Sequence, residues 1–321
     1  MGRKVLIAGG AGFLGANLCR ALCAKGAEVT VLDDLSSGRR HNLAPLIVGK
    51  GLQFVHGSVL DLPELEADDI YHLACPAAPR FYMRDPIETW RIATLGTHNL
   101  LNLATRIGAR FLLASTSEVY GDPDVHPQPE EYVGSVDSVG PRACYAEGKR
   151  AAEALAADFA RYRGVPVRIA RIFNTYGPFM RPDDGRVIAN FVGSILAGRD
   201  LTVHGNGSQT RSFCFVDDLI RGLIALMDSQ PRYCGPVNLG NPQEICMTDL
   251  AHLMGEVAGV NVRLTFVPAP AGEPRRRKPD IGKARALLDF QPSVELHDGI
   301  DRTLRHFADI AVSGHAAGSG S

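Results

Sequence analysis

The sequence predicts an α/β protein with a doubly wound parallel sheet and a smaller C-terminal α/β domain. Three observations indicate this fold. Short β-branched or apolar runs alternate with helical stretches through the first half of the chain, as parallel strands covered by helices do. Glycines at positions 9, 12 and 15 stand between the first apolar run and the first helical stretch. After about residue 175 the elements become shorter and are separated by Pro and Gly.

The elements follow from hydrophobic periodicity and its interruptions. Strands are expected at Val5–Ala8, Val29–Leu32, Phe54–Val55, Ile70–Leu73, Phe111–Ala114 and Val167–Ala170. Helices are expected over 12–25, 86–107, 144–163, 187–197 and 281–309, the last as two helices. A Pro- and Arg-rich loop is expected over Pro268–Pro279.

Composition limits the classes of function. The chain has 321 residues, 45% hydrophobic and 21% charged, as in globular proteins with a large core. A net charge of −1 offers no basic field, so neither a nucleic-acid nor a membrane partner is expected. Seven cysteines without CxxC spacing favour free thiols and a cytoplasmic location. The histidines show no metal-binding spacing, so no metal is predicted.

The segment Gly9-Gly-Ala-Gly12-Phe13-Leu14-Gly15 has the spacing of a dinucleotide-binding loop. Its glycines permit a tight turn, close approach of the backbone to a pyrophosphate, and close packing of helix on strand. Asp33 ends the second strand, eighteen residues beyond Gly15. A carboxylate there accepts both ribose hydroxyls and repels a 2′-phosphate. We therefore predict NAD rather than NADP, although Arg39 and Arg40 follow closely.

Tyr145 and Lys149 stand four residues apart on an expected helix, hence on one face. A nearby cation favours the tyrosinate, because charges of opposite sign stabilise each other. The pair is therefore predicted to take a proton from an alcohol while a nicotinamide accepts the hydride. A Tyr and a Lys also occur at this spacing on ordinary helix surfaces, but the upstream glycine loop favours the catalytic interpretation.

These segments resemble the extended short-chain dehydrogenase/reductase family, which has a Rossmann sheet. The resemblance extends from residue 3 to about 308. It includes Ser115–Pro123, Gly140–Arg150, Arg171–Pro178, Asp184–Val187, Leu201–Phe213 and Arg277–Ile281. It implies an NAD-binding domain over 1–175, an interleaved nucleotide-sugar domain over 176–313, and a homodimer. The small, polar residues 314–321 are expected to form a disordered tail.

The resemblance also implies a reaction, the oxidative decarboxylation of UDP-glucuronate to UDP-xylose, UDP-4-keto-xylose or both. Oxidation at C4 turns the substrate into a β-keto acid, whose loss of CO2 leaves a delocalised enolate. Tyr145 is expected to be the base, Thr116 to bind O4, and Lys149 to hold the nicotinamide ribose and lower the Tyr145 pKa. The residues expected at the C5 carboxylate are Glu118 and Arg211, and those expected at the UDP portion are Asn174, Arg186 and Arg277.

Four positions depart from the family pattern. Ala146 stands where an Asp is expected, and Phe179 stands where an Arg is expected, with Arg181 two residues on. Ser58 stands where an Asp often contacts adenine, and Arg80 adds a cation close to the expected substrate. These departures leave open whether the 4-keto sugar is reduced or released with NADH.

Three other functions fit parts of the sequence. A nucleotide-sugar 4-epimerase shares the C4 oxidation and needs no Glu at position 118. A 4,6-dehydratase shares that Glu, but the resemblance implies an acidic residue where this chain has Ser117. A non-catalytic NAD-binding regulator would not need the Tyr145 and Lys149 pair. The choice between UDP and dTDP sugars also stays open.

Overall fold

The computed structural model describes residues 2–49, 51–230, 235–268 and 276–318. Its strands are β1 (Lys4–Ala8), β2 (Glu28–Asp33), β3 (Leu52–His56), β4 (Asp69–His72), β5 (Arg110–Thr116), β6 (Val167–Ile172), β7 (Thr175–Tyr176), β8 (Leu201–His204), β9 (Thr210–Ser212), β10 (Cys214–Phe215), β11 (Pro236–Leu239), β12 (Glu244–Cys246) and β13 (Leu264–Val267). Its α-helices are α1 (Phe13–Ala24), α2 (Ala44–Val48), α3 (Pro79–Tyr82), α4 (Pro86–Arg91), α5 (Thr97–Ile107), α6 (Ala143–Arg163), α7 (Val187–Leu196), α8 (Val216–Asp228), α9 (Met247–Ala258), α10 (Gly282–Leu288) and α11 (Leu296–Gly318).

The main sheet has seven strands in the order β3-β2-β1-β4-β5-β6-β11, and all its pairs are parallel. The prediction of a doubly wound parallel sheet is confirmed. The strand order reverses between β1 and β4, and the crevice outside the carboxyl ends of strands at such a point is where ligands bind in this fold. Sequence reasoning missed β11, a four-residue strand that begins with Pro236.

Successive residues of β1 enter two different cores, which explains its unbroken apolar run. Leu6 packs in a cluster with Leu100 and Phe111 on one face of the sheet. Ile7 packs with Leu18 on the other face, in a cluster that continues into the second half of the chain. Both faces are therefore covered, and the carboxyl edge of the strands remains as the place for a site.

The second half of the chain forms three two-stranded sheets, β7 with β10, β8 with β13, and β9 with β12. It also returns to the main sheet, because β11 pairs with β6 and α8 packs against β5 and β6. The two halves thus share elements, and a domain boundary near residue 175 stays a prediction.

The helix expected over 86–107 is confirmed over these residues, as α4 and α5 joined by a π-helical turn at Ile92–Gly96, where a Cβ on Gly96 would lie 2.5 Å from Val59. The last helix, α11, continues to Gly318, and the disordered tail expected over 314–321 stays a prediction. Residues 319–321, and 269–275 of the expected Pro/Arg-rich loop, lie outside the described residues.

Candidate active site

A cavity of about 440 Å³ lies at the carboxyl ends of β1 to β6. Every residue predicted for the cofactor, the substrate or the chemistry contributes to its lining. Parallel strands bring their carboxyl ends to one edge, so loops that are distant in sequence meet there. The cavity has a dinucleotide end near Gly9 and Asp33 and a reactive end near Tyr145.

Two glycines of the loop stand where the protein backbone is too close for any side chain. Gly9 has a φ of +84°, and a Cβ there would lie 2.6 Å from the Ala74 nitrogen. A Cβ on Gly15 would lie 2.2 Å from the Gly9 carbonyl oxygen. Gly12 is the N-cap of α1, so the helix N-terminus faces this loop without a capping side chain. The loop Gly9–Gly15, here named the glycine cradle, fits a pyrophosphate bound by backbone N–H groups.

Asp33 is fixed at the end of β2 by the backbone. Its carboxylate accepts hydrogen bonds from the Ala11 N–H at 2.8 Å and the Leu35 N–H at 2.9 Å. Burial raises the pKa of Asp33, and these two hydrogen bonds oppose the rise. A carboxylate has about four lone-pair sites, so it keeps the capacity to accept ribose hydroxyls. Ser58, beyond β3, also lines the cavity but offers no carboxylate.

The three residues expected to oxidise an alcohol lie together. Tyr145 and Lys149 project from α6 and are 4% and 3% exposed. Thr116 ends β5, and its hydroxyl lies close enough to the Tyr145 phenol to oppose the rise in the pKa of that phenol. Lys149 Nζ donates to the Ala114 carbonyl at 2.8 Å.

The Tyr145 pKa differs from the expectation that Lys149 lowers it. Burial raises the pKa of Tyr145, the neighbouring Cys75 and Glu118 add to the rise, and only the Thr116 hydroxyl is a notable opposing influence. The Lys149 ammonium is instead engaged by the Ala114 carbonyl. In the protein without NAD, therefore, Tyr145 is a protonated phenol.

Glu118 is surrounded by two guanidinium groups. Arg142 Nη2 donates to Glu118 Oε1 at 2.9 Å, and Arg277 Nη1 lies 3.8 Å from the same oxygen. The Glu118 and Arg277 side chains are 14% and 11% exposed, so water screens this cluster only weakly. Burial and the neighbouring Arg142 lower the pKa of Arg277, whereas Glu118 opposes that effect.

A second contact of Arg142 leads back to the catalytic tyrosine. Arg142 Nε donates to the Tyr82 hydroxyl at 2.7 Å. The Tyr82 ring stacks on the Tyr145 ring at 4.9 Å between centroids with planes 2° apart. Sequence reasoning assigned no role to Arg142 or Tyr82. The available signal was the position of Arg142, three residues before Tyr145 in a segment already singled out for its resemblance.

The positions of two arginines in the site differ from the expectation. Arg277, expected at the UDP portion, lies beside Glu118 at the reactive end. Arg211, expected at the carboxylate, lies on β9 in the cavity wall and donates to the Thr210 carbonyl at 2.8 Å. The difference arises because the loop that holds Arg277 folds back on the Gln128 backbone, where Gln128 N–H donates to the Lys278 carbonyl at 2.9 Å.

The other two residues expected at the UDP portion also line the cavity. Asn174 Nδ2 donates to the Ser212 carbonyl at 3.5 Å. Arg186 is paired with Asp184, lies over the Phe13 ring at 5.6 Å, and interacts electrostatically with Tyr145. Arg186 therefore stands between the glycine loop and the reactive end, closer to a dinucleotide than expected.

Three features of the described residues limit other kinds of site. No three His, Cys, Asp or Glu side chains within 2–49, 51–230, 235–268 and 276–318 are grouped to hold a metal ion. Cys19, Cys23, Cys75, Cys144, Cys214 and Cys246 are free thiols, and Cys234 lies outside the described ranges. Within the same ranges no helix has the length and apolar character to cross a bilayer.

Comparison with known proteins places this geometry in a family. The model of the NAD dependent epimerase/dehydratase family matches residues 5–240. The chain belongs to this family. UDP-glucuronic acid decarboxylase 1 of Xenopus tropicalis is 49% identical over 305 residues, 95% of this chain and 72% of that protein. UDP-glucuronic acid decarboxylase 1 of Arabidopsis thaliana is 48% identical over 310 residues, 96% of this chain and 71% of that protein.

Solved structures of family members share the whole fold. UDP-glucuronic acid 4-epimerase from Bacillus cereus, in complex with UDP-glucuronic acid and NAD, has a TM-score of 0.86 and 27% identity. The match covers 96% of this chain and 99% of that chain. A dTDP-glucose 4,6-dehydratase from Streptomyces venezuelae, with NAD bound, has a TM-score of 0.86 and 30% identity, and the match covers 95% of this chain and 97% of that chain. Since these family members catalyse different reactions on one fold, the reactive end of the site has to distinguish them.

Proposed function

We propose that the protein catalyses the NAD-dependent oxidation and decarboxylation of UDP-glucuronate through a 4-keto intermediate. The observation that carries this proposal is Glu118 between Arg142 and Arg277, beside the Thr116–Tyr145 pair. Guanidinium forks bind carboxylates well, and a uronate brings a carboxylate one carbon from the alcohol to be oxidised. The relatives named UDP-glucuronic acid decarboxylase at 49% and 48% identity support the same reaction.

The residues at the dinucleotide end hold NAD. The Gly9–Gly15 cradle and the α1 N-terminus bind the pyrophosphate, and Asp33 accepts the ribose hydroxyls. When bound, NAD supplies a hydride acceptor and a positively charged ring, and such a charge favours the tyrosinate. Without NAD this positive charge is absent, and burial raises the pKa of Tyr145.

Oxidation at C4 uses the hydroxyl pair at the end of β5. The Thr116 and Tyr145 hydroxyl groups lie close together, so both can bind the same sugar oxygen. As the tyrosinate, Tyr145 takes the O4 proton and becomes a neutral phenol, and Lys149, one helical turn away, would hold the nicotinamide ribose. The tight burial of Tyr145 excludes water from this proton transfer.

Decarboxylation then needs a carboxylate that is oriented but not over-stabilised. Loss of CO2 leaves the C5–C6 electron pair in an enolate, whose oxygen is the former O4 held by Thr116 and protonated Tyr145. A guanidinium that stabilised the carboxylate too strongly would raise the barrier, since only differential stabilisation of the transition state accelerates a step. Glu118 competes for Arg142 and Arg277 and so weakens their hold on the substrate carboxylate. A proton taken up from solvent water and added to C5 completes the step.

The remaining features stay predictions within this proposal. We assign 1–175 to NAD binding and 176–313 to the nucleotide sugar, and we expect a cytoplasmic homodimer without nucleic-acid or membrane partners. Arg211 and Asn174, which line the cavity, are assigned to the UDP portion together with the second-half loops.

Mass spectrometry of the products formed from UDP-glucuronate and NAD tests the proposal. Loss of CO2 from the nucleotide sugar is the expected result. An isomer of unchanged mass would show 4-epimerisation instead, and no change at saturating substrate and NAD would favour a non-catalytic NAD-binding protein. UDP-glucose serves as the control, because it has the same C4 alcohol and no carboxylate to lose.

A further inference from the structure

Three connections that follow strands, here named loops, meet at the dinucleotide end of the cavity. One follows β2 and contains Ser37 and Arg39, one follows β4 and includes the one-turn helix α3 with Arg80, and one follows β7 and contains Arg181 and Asp183. The first two come from the first half of the chain and the third from the second half. Ser37 and Arg181 both line the cavity, so the contact between these loops is part of its wall.

Arg181 joins the third loop to the first. Its Nε and Nη2 donate to the two Asp183 carboxylate oxygens, each at 2.8 Å, in a bidentate pair. Its Nη1 donates to the Ser37 carbonyl at 3.3 Å. Its guanidinium also lies over the Phe81 ring at 4.7 Å, which adds a contact to the loop after β4.

Asp183 is the centre of the arrangement. Arg39 Nη2 lies 3.7 Å from its carboxylate, and Arg80 Nη1 donates to its carbonyl at 3.0 Å. Three cations from three loops therefore converge on one residue. We call Arg39, Arg80, Arg181 and Asp183 the clasp.

The strength of the clasp comes from its connectivity rather than from any one pair. The Asp183 and Arg181 side chains are 38% and 25% exposed, and isolated pairs at such exposure contribute little. A bidentate pair within a network is the exception. The Arg181 hydrogen bonds lower the pKa of Asp183 to about 2, so its carboxylate is charged throughout the physiological range.

Arg181 of the clasp lines the cavity together with Ser36 and Ser37, which follow Asp33 by a few residues. A dinucleotide held by the glycine cradle and Asp33 would lie beside these loops. The contacts of Arg181 and Asp183 connect the loops across the two halves of the chain, so separating the loop after β2 from the loop after β7 would break the Arg39–Asp183 and Arg181–Ser37 contacts.

We propose that the clasp sets how long NADH stays in the cleft and thereby which product the protein releases. This inference depends on the proposed function. After the C4 hydride has moved to NAD and CO2 has left, return of that hydride to C4 gives UDP-xylose and regenerates NAD. If NADH leaves first, the products are UDP-4-keto-xylose, CO2 and NADH. The two outcomes differ only in whether the hydride returns before the cofactor departs.

The residence time is measured without substrate, by stopped-flow fluorescence of bound NADH chased with excess NAD. We expect Asp183→Asn to release NADH about fivefold faster than the wild type, the effect of about 1 kcal/mol of lost pairing. Asp158→Asn is the matched control, because Asp158 forms an exposed pair with Arg161 on α6 at 3.0 Å. Raising the salt concentration should speed release from the wild type and have less effect on Asp183→Asn, since salt screens exposed pairs.

The product ratio is measured in parallel during turnover. Asp183→Asn should raise the share of UDP-4-keto-xylose with matching NADH, and Asp183→Glu should restore part of the wild-type ratio. Arg39→Gln removes the Arg39–Asp183 contact from the side of the loop after β2. It serves as a second test of the clasp if Asp183→Asn fails to fold. Unchanged NADH release, or faster release with an unchanged product ratio, would overturn the inference. If no CO2 forms in any variant, the proposed function fails while the release rates still report on the clasp.

Discussion

Replacing Arg142 by Met tests the reactive end of the site in the most informative way. The change keeps a long apolar side chain and removes two contacts, the 2.9 Å hydrogen bond to Glu118 and the 2.7 Å hydrogen bond to the Tyr82 hydroxyl. Hydrogen bonds to charged groups contribute about 1.5 kcal/mol each at the lower end of their range. Losing both predicts a reduction in kcat/KM of about 100-fold, since about 1.4 kcal/mol corresponds to a factor of ten.

The assay measures kcat and KM separately with UDP-glucuronate. Arg142→Met should lower kcat more than it raises KM, because Tyr82 then loses the hydrogen bond that orients its ring against Tyr145. Arg161→Met is the matched control, an exposed arginine on the same helix whose partner is Asp158. If the two variants had kcat/KM values within threefold of each other, the role assigned to Arg142 would be refuted.

Four further predictions concern the base, the glycine loop, helix α7 and the pKa of Tyr145. Tyr145→Phe should abolish NADH formation while NAD still binds, because only the proton acceptor is removed; measurable NADH formation in a single turnover would contradict the assignment of the base. Gly15→Ala should weaken NAD binding more than tenfold, since its Cβ would lie 2.2 Å from the Gly9 carbonyl. Gly193→Ala has open space around its Cβ and should instead stabilise α7 by about 1 kcal/mol, which thermal unfolding measures. Because burial raises the pKa of Tyr145, the native protein without NAD holds this proton above the ordinary tyrosine range; a 295 nm titration of wild type and Tyr145→Phe should agree up to about pH 10. A tyrosinate titrating near pH 7 in the wild type alone would contradict that reasoning.

The fold was largely predictable because its signals are local. The apolar runs of β1, β2, β5 and β6 are strands, and the glycines at 9, 12 and 15 lie between β1 and α1. The strand β11 was not predictable from periodicity, since four residues beginning with Pro236 give too short a pattern. Its pairing with β6 depends on tertiary contacts that no local window contains.

The site was predictable as a set of residues but not as a geometry. All the residues predicted for the cofactor, the substrate or the chemistry line one cavity, because strand ends of a parallel sheet converge. Which arginine lies beside Glu118 could not be read from the chain, since Arg277 reaches it only through the packing of its loop on Gln128. The rise in the pKa of Tyr145 could not be predicted from the sequence either, because the burial that causes it is a property of the folded protein.

The central claim is that this site oxidises C4 in order to release the C5 carboxylate. The most direct test is a single turnover of UDP-glucuronate labelled with ¹³C at C6, with labelled CO2 followed by NMR and NADH by absorbance. The account predicts one labelled CO2 per substrate consumed by the wild type and none from Tyr145→Phe. Conversion of the sugar with the label still attached to carbon 6 would contradict it.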